Sequence, residues 1–369
     1  MTPMRWPELD TPCLLIDKSR LEQNLEEMAA DTREHNIALR PHIKSHKMVE
    51  IARRQMELGA VGLTTAKLSE AEVLAHAGLK DLFICYPLIG PLKLRRLRDL
   101  AREARIMTIV DSMEGVHGLT EAMTNEERPL DIMIKFDVGM HRIGVDPDHA
   151  LQLAETVRSS SKLRLRGVCV HEGSTYGEPD PVRRIAVARE QAGSLIAVAR
   201  ELRRAGYEID IVSAGATPAT LATLTMDGLT ETRPGNYVFY DATQVALGVA
   251  TLDQCALSVV TSVVSHASPN RAVVDAGSKT LTLDRGAHGT ELVRGYGIVI
   301  GKPNMVIEKL SEEHGWLTLG AATPIDIGDQ LKIIPNHACP VVNNFNWVAI
   351  AQNDKVVDRW TVDARGCVT

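Results

Sequence analysis

Several short stretches of the chain carry side chains that can do chemistry. RPHIKSHK (40–47) gathers Arg40, Lys44 and Lys47 with two histidines around one isoleucine. An amine held in a partly desolvated place among like charges favours its neutral form, which attacks a carbonyl as a Schiff-base nucleophile. A solvated basic loop and a phosphate or nucleic-acid contact are the competing readings. SAGATP (213–218) and RPGNY (233–237) are rich in small residues, which let main-chain N–H groups approach an anion closely. SAGATP also reads as a plain helix start, with Thr217 as N-cap and Pro218 at the first helical position. GMHRIG (139–144) offers Arg142, either a surface arginine or a guanidinium set against an anionic ring oxygen. His171, taken alone, reads as a satisfied core histidine. In PNHACP (335–340), His337 and Cys339 are two apart, so an extended strand would turn both to one side. Imidazole and thiolate suit zinc, with positions left open for water and substrate. A buried cysteine beside an exposed histidine accounts for the same stretch without a metal.

The bulk numbers narrow these readings. At 369 residues the chain is too long for one ordinary core and suits a large barrel plus a smaller domain. A hydrophobic content of 44% with 24% charged residues is globular. The net charge of −6 argues against a nucleic-acid surface and makes the basic cluster local. The six cysteines are widely spaced with no CxxC pair, so reduced thiols in a cytoplasm are expected. The start MTPMRWPELDTP lacks the apolar run of a signal peptide, and no run of apolar residues is long enough to span a membrane.

The elements that must position these residues alternate from about residue 38 to 241. Strand signals fall at 38–44, 61–66, 81–86, 105–111, 131–138, 165–173, 210–215 and 230–239, with helical segments such as 67–78 and 182–206 between them. Eight such signals predict an α/β fold, a TIM-like (β/α)8 barrel; a doubly wound open sheet is the alternative, weakened by the lack of GxGxxG after the first strand. Beyond residue 250, short alternating runs punctuated by Gly, Pro, Asn and Asp predict a C-terminal mostly-β domain. The expected division is a barrel domain over 1–250 and a β domain over 251–369. The first 20 residues hold one strand, whose pairing with the β domain is left open, and a helix capped at Asp17 or Ser19. In a barrel, site residues gather at the C-terminal ends of the strands. Lys44, Asp137 with GMHRIG, His171, SAGATP and RPGNY all fall at such ends.

Taken together, the motifs resemble the pyridoxal-phosphate enzymes of the alanine-racemase-like barrel class (fold type III), in particular the branch of D-serine dehydratases and D-threonine aldolases. The resemblance covers almost the whole chain, through LDTPCLLID (9–17), RPHIKSHK (40–47), AKLSEAE (66–72), KFDVGMHRIGV (135–145), HEGSTYG (171–177), SAGATP (213–218), ETRPGNYVFYD (231–241), DAGSKTLTLD (275–284), LSEEHG (310–315) and PNHACPVVN (335–343). It implies that Lys44 forms the Schiff base with the cofactor. It also implies that Tyr176, Thr217, Gly235 and Asn236 hold the cofactor, chiefly its phosphate, that Arg142 faces the phenolic oxygen, and that His171 packs near the ring. Arg233 stands where the racemases hold an arginine against the pyridine nitrogen. His337 and Cys339 would bind a divalent metal, zinc in the first place, with Mn2+ or Mg2+ as alternatives. The dehydratases pair His with Cys, whereas the aldolases usually carry an aspartate in place of Cys339.

The expected activity is therefore a lyase reaction on a D-amino acid. A dehydratase takes a D-3-hydroxy amino acid such as D-serine to a 2-oxo acid and ammonia, Lys44 removing the Cα proton and the metal assisting loss of the β-hydroxyl. A D-threonine or D-3-hydroxyaspartate aldolase on the same scaffold is the first rival. A racemase is weaker, because Tyr296 is the single tyrosine after residue 250. A non-catalytic pyridoxal-phosphate binder leaves the β domain and HAC unexplained. The resemblance also implies a homodimer with a small-molecule substrate and neither nucleic acid nor membrane as partner.

Overall fold

The computed structural model describes residues 5–320 and 324–369. The extreme start of the N-terminal segment and a short stretch of the predicted β domain, 321–323, lie outside the described residues. The chain folds as two compact units: one comprises residues 1–27, 45–50 and 236–366, the other 28–44, 51–235 and 367–369.

Strand β1 (Cys13–Asp17) opens the chain in the first unit. The second unit is built on β2 (Ala38–Leu39), β3 (Leu63–Thr65), β4 (Asp81–Pro87), β5 (Arg105–Val110), β6 (Leu130–Lys135), β7 (Leu163–Cys169), β8 (Ile211–Ala214) and β9 (Glu231–Thr232). They form an eight-stranded parallel sheet in the order β2-β9-β8-β7-β6-β5-β4-β3. Main-chain bonds from Val61 to Leu39 (2.9 Å) and Thr64 to Pro41 (2.8 Å), with a His42–Thr64 bridge, join the two ends of that order, β2 and β3, and close the barrel. Each of the eight strand signals is one barrel strand. Their apolar runs are continuous because parallel strands are covered on both faces: all six residues of β6 are buried. The connecting helices start on the expected chemistry. Asp180 accepts from Val182 and Arg183 N–H (both 2.9 Å) with Pro181 next, opening the helix Pro181–Arg204.

The first and last barrel strands are shorter than the sequence predicts. Pro41 and Pro234 each lack the N–H that would extend the ladder, so β2 and β9 are two residues long. Lys44 consequently lies on a one-turn 3-10 segment, Ile43–Ser45, rather than at the end of a strand.

The other unit carries β10 (Leu257–Ser268), β11 (Arg271–Val274), β12 (Ile298–Val299), β13 (Met305–Leu310), β14 (Gly315–Leu319), β15 (Gln330–Ile334), β16 (Trp347–Gln352) and β17 (Lys355–Thr361). With β1 they make a nine-stranded sheet in which β1 runs antiparallel to β10 and parallel to β16. β14 alternates buried and half-buried residues, as a sheet with one face on the core requires. Asp17 caps the helix Lys18–Glu34 by accepting from Arg20 N–H (3.1 Å). Among the described residues no helix is long and apolar enough to cross a membrane.

Candidate active site

All barrel strands are parallel, so the segments after them emerge at one end, and the loops there carry Lys44, Arg142, His171, Tyr176, Thr217 and Gly235. Lys44 is half-buried. Its turn is braced by His42, whose Nδ1 accepts the Lys44 N–H (3.4 Å) and whose own N–H donates to Pro234 O (3.0 Å). That bond ties the lysine segment to the Gly235 segment. Arg40 is not a free like charge beside the lysine. Its guanidinium is buried against Glu231 (2.8 Å) and Asp81 (2.5 Å), and these carboxylates balance its charge. Lys47, expected from the sequence to be a solvated helix-start residue, is 8% exposed with Nζ on Ala364 O (3.4 Å). Its backbone has φ +56°, so the chain turns there instead of starting a helix.

Arg142 stands exposed on a loop shaped by Asp137, whose Oδ1 accepts from Gly139 and Met140 N–H (both 2.9 Å). Gly144 closes the loop at φ +127°, where a Cβ would collide with the main chain of Phe136 and Asp137. His171 Nδ1 lies 3.2 Å from Gly215 O. Tyr176 sits buried on the turn Gly173–Gly177.

Thr217 is not an N-cap. The loop stays irregular through Ala219 and the helix begins at Thr220. The Thr217 hydroxyl is buried with no hydrogen-bond partner, an arrangement that costs free energy unless a ligand answers it. Glu172 holds the start of this loop: Oε2 accepts the Gly215 N–H at 2.7 Å. Asn236, next after Gly235, is the first residue of its segment in the other unit. Its Nδ2 donates to Asp241 Oδ2 (2.7 Å), and its Oδ1 is buried without a partner.

The barrel interior holds Arg233, which the resemblance sets against the pyridine nitrogen, together with two side chains that the sequence did not single out, Lys135 and Glu172. Arg233 is buried and donates from Nε to Ser213 Oγ (2.8 Å), from Nη2 to Val170 O, and from Nη1 toward Cys85 Sγ (3.4 Å). Lys135 ends β6 beside Cys169. Burial lowers its ammonium, and the nearby thiols Cys169 and Cys85 partly oppose this. Burial raises the carboxyl of Glu172, against the Gly215 N–H and the charges of Arg233 and Lys135. A lysine ending the otherwise apolar strand IMIK was the available signal for Lys135. Nothing in the local sequence marks Glu172 beyond its place in HEGSTYG.

In the other unit, His337 and Cys339 do come together, but not on a strand. β15 ends at Ile334, His337 is the extended N-cap, and Cys339 is the second residue of the short helix Ala338–Asn343. His337 Nδ1–H donates to Asp284 Oδ2 (2.8 Å), which orients the ring and makes Nε2 the nitrogen that could face a metal. Cys339 donates to Ser45 Oγ (3.3 Å), and its sulfur also bonds the His337 ring. Burial would lower the imidazole, but Cys339, the Asp284 bond and Asp241 carry it up to about 10. Among the described residues no three His, Cys, Asp or Glu side chains form a cage. The site is a two-donor N,S pair oriented by a carboxylate, a donor set that suits zinc with open positions. In the barrel unit, the orphaned Thr217 hydroxyl, the small-residue loops, the half-buried Lys44 amine and the buried Arg233 fit a phosphorylated pyridine aldehyde equally well.

Comparison with known proteins gives the family. The family model described as "Alanine racemase, N-terminal domain" matches residues 16–243, and the "Putative serine dehydratase domain" matches 256–351. The D-threo-3-hydroxyaspartate dehydratase of Delftia sp. is 33% identical over 95% of this chain and 97% of its own. The D-serine dehydratase of Dictyostelium discoideum is 29% identical over 95% of each. The crystal structure of a D-threonine aldolase from Filomicrobium marinum superposes with a TM-score of 0.92 at 34% identity, covering 100% of this chain and 99% of that one. The chain thus belongs to the alanine-racemase-like family of pyridoxal-phosphate lyases, in the branch that holds the D-serine dehydratases, D-threonine aldolases and D-3-hydroxyaspartate lyases.

Proposed function

We propose that the protein is a pyridoxal-phosphate- and metal-dependent dehydratase that converts a D-3-hydroxy amino acid such as D-serine into a 2-oxo acid and ammonia. The observation that carries this reading is the His337–Cys339 pair, an imidazole and a thiol bonded to each other and braced by Asp284 and Ser45. Ser45 is the residue after Lys44 in the chain.

Bound pyridoxal phosphate supplies an electron sink for charge left at Cα, and a bound zinc ion supplies Lewis acidity at the β-hydroxyl. The chain's own residues do the rest. Lys44 Nζ would hold the cofactor, and its amine would serve as the base for the Cα proton. The Thr217 hydroxyl and the main-chain N–H groups of Gly235 and Asn236 hold the phosphate. The Asn236 amide is committed to Asp241, so its contribution is its main-chain N–H. Tyr176 and His171 would flank the cofactor, with Arg142 available to its phenolic oxygen and Arg233 to its pyridine nitrogen. His337 and Cys339 hold the metal. A thiolate favours zinc over the harder Mn2+ or Mg2+.

Product analysis tests the reaction. With D-threonine, formation of 2-oxobutanoate supports the dehydratase, and glycine plus acetaldehyde overturns it in favour of the aldolase. The likeness to a D-threonine aldolase structure keeps that second reading in play, and D-3-hydroxyaspartate belongs in the same panel. We further infer a homodimer, to be checked by analytical ultracentrifugation. None of the six cysteines forms a disulfide, which fits a reducing cytoplasm.

A further inference from the structure

Asp241 is fully buried, and each of its carboxylate oxygens is engaged. Oδ1 accepts the Gln244 N–H (3.1 Å) and caps the short helix Ala242–Ala246. Oδ2 does something a cap does not require. It accepts from Asn236 Nδ2 (2.7 Å) and also from the Ala338 N–H (3.0 Å). Ala338 is the residue between His337 and Cys339. One oxygen therefore joins the peptide between the two candidate metal ligands to the side chain of a candidate phosphate-binding residue. Neighbouring bonds stiffen the same seam. Ala242 N–H donates to Pro335 O (3.0 Å), and the Thr243 hydroxyl donates to Asn336 O (2.6 Å). Asn336 in turn donates to Asp284 O (2.9 Å), on the residue that orients His337. The seam runs without a break from His337 to Asn236, and all of it lies within one compact unit.

We propose that Asp241 is a positioning residue that couples metal binding at His337 and Cys339 to cofactor binding at Asn236. The proposal rests on the assignment of those ligands made above. A metal that draws the imidazole and the thiolate into its coordination sphere sets the peptide between them. The Ala338 N–H then fixes the Asp241 carboxylate, which fixes the Asn236 side chain and with it the angle of the Asn236 main-chain N–H. The ordering is done once, by whichever ligand arrives first, so the second binds more tightly. Linkage requires the effect to be reciprocal: zinc raises cofactor affinity by the factor by which the cofactor raises zinc affinity.

The test uses full-length protein stripped of both groups. Pyridoxal phosphate is titrated with and without saturating Zn2+, and Zn2+ is titrated against a competing chelator with and without the cofactor. The ratio of affinities is the readout, which general loosening of the fold does not move. The expected result is a reciprocal enhancement of roughly five-fold or more in the wild type. It should fall to unity in Asp241→Asn, whose amide cannot accept from all three donors. Asn236→Ala is the second variant, because it leaves the helix cap and the Ala338 bond intact, keeps its main-chain N–H, and cuts only the link. Zinc affinity alone should be retained in Asn236→Ala. Enhancement that persists in Asn236→Ala, or a wild type that binds both groups independently, overturns the proposal while leaving the functional reading standing. A wild type that binds no cofactor or no zinc overturns both.

Discussion

Lys44, Glu172 and Arg40 show how differently three charged groups behave within one barrel. Lys44 is half-buried and carried on a turn that His42 braces. Replacing it with alanine should abolish the protein-bound cofactor absorbance and lower turnover by roughly 10²–10⁴-fold or more. A variant that keeps the absorbance unchanged would remove Lys44 from the proposed role. Glu172 makes a pH prediction. Its carboxyl is raised by burial, so the native state binds the proton more tightly than the unfolded chain does. Ionising it costs stability as pH rises from the ordinary glutamate range, near 4.5, through the raised native value, and the cost is constant above that. Glu172→Gln keeps an acceptor for the Gly215 N–H and removes the charge. The stability of the variant relative to wild type, read as unfolding midpoints of the cofactor-free protein, should therefore increase across that window and then level off. A difference that does not vary with pH would contradict the assignment. Arg40 carries the opposite lesson. From the sequence it is one more cation in RPHIKSHK, because its partners Asp81 and Glu231 lie 41 and 191 residues away.

At the scale of elements, the C-terminal ends of parallel strands decide where chemistry sits, and two loops show how narrow the tolerances are. Gly215 leaves β8 at φ +157°, and a Cβ there would run into the Arg233 main chain. Gly215→Ala should cost roughly 1–3 kcal/mol of stability by overpacking and weaken cofactor binding, measured by denaturant midpoint and cofactor titration. Full retention of both would mean that the β8–β9 seam can open. Element types were legible because period and punctuation state them: buried parallel strands read as continuous apolar runs, and Asp180–Pro181 announces its helix. Element ends were less legible. Pro41 and Pro234 were visible, yet only the ladder partners show how early β2 and β9 stop. The HAC stretch looked like a strand from its spacing, whereas the chain turns into a helix at Ala338, where Asp241 accepts the first N–H.

For the whole molecule, the residues proposed to hold the metal and those proposed to hold the cofactor belong to different stretches, and removal of the two groups should have different consequences. Dialysis against a strong chelator should stop turnover but leave most of the cofactor absorbance, since Lys44, Thr217 and Arg233 are untouched. Full turnover after complete zinc removal, verified by elemental analysis, would remove the metal from the mechanism. Asp284→Asn tests the support of the same site. Its amide orients His337 less well, so zinc affinity should fall by roughly 10–100-fold, with cofactor binding in the absence of metal unchanged.

What the sequence determined by itself was local or periodic. The alternation of apolar runs and amphipathic helices specified the barrel, and the change of texture after residue 250 specified the β domain. The order of polar clusters at strand ends placed Lys44, Arg142, His171, Thr217 and Gly235 at one mouth. What only the tertiary structure decided was pairing across distance. Arg40 is balanced by Glu231, His337 is aimed by Asp284, Thr217 is left without a partner, and Asp241 bridges Asn236 and Ala338. The physical reason is that a buried polar group takes its state from whatever answers it within about 3 Å, and in this fold the answering atom is often tens to hundreds of residues away along the chain.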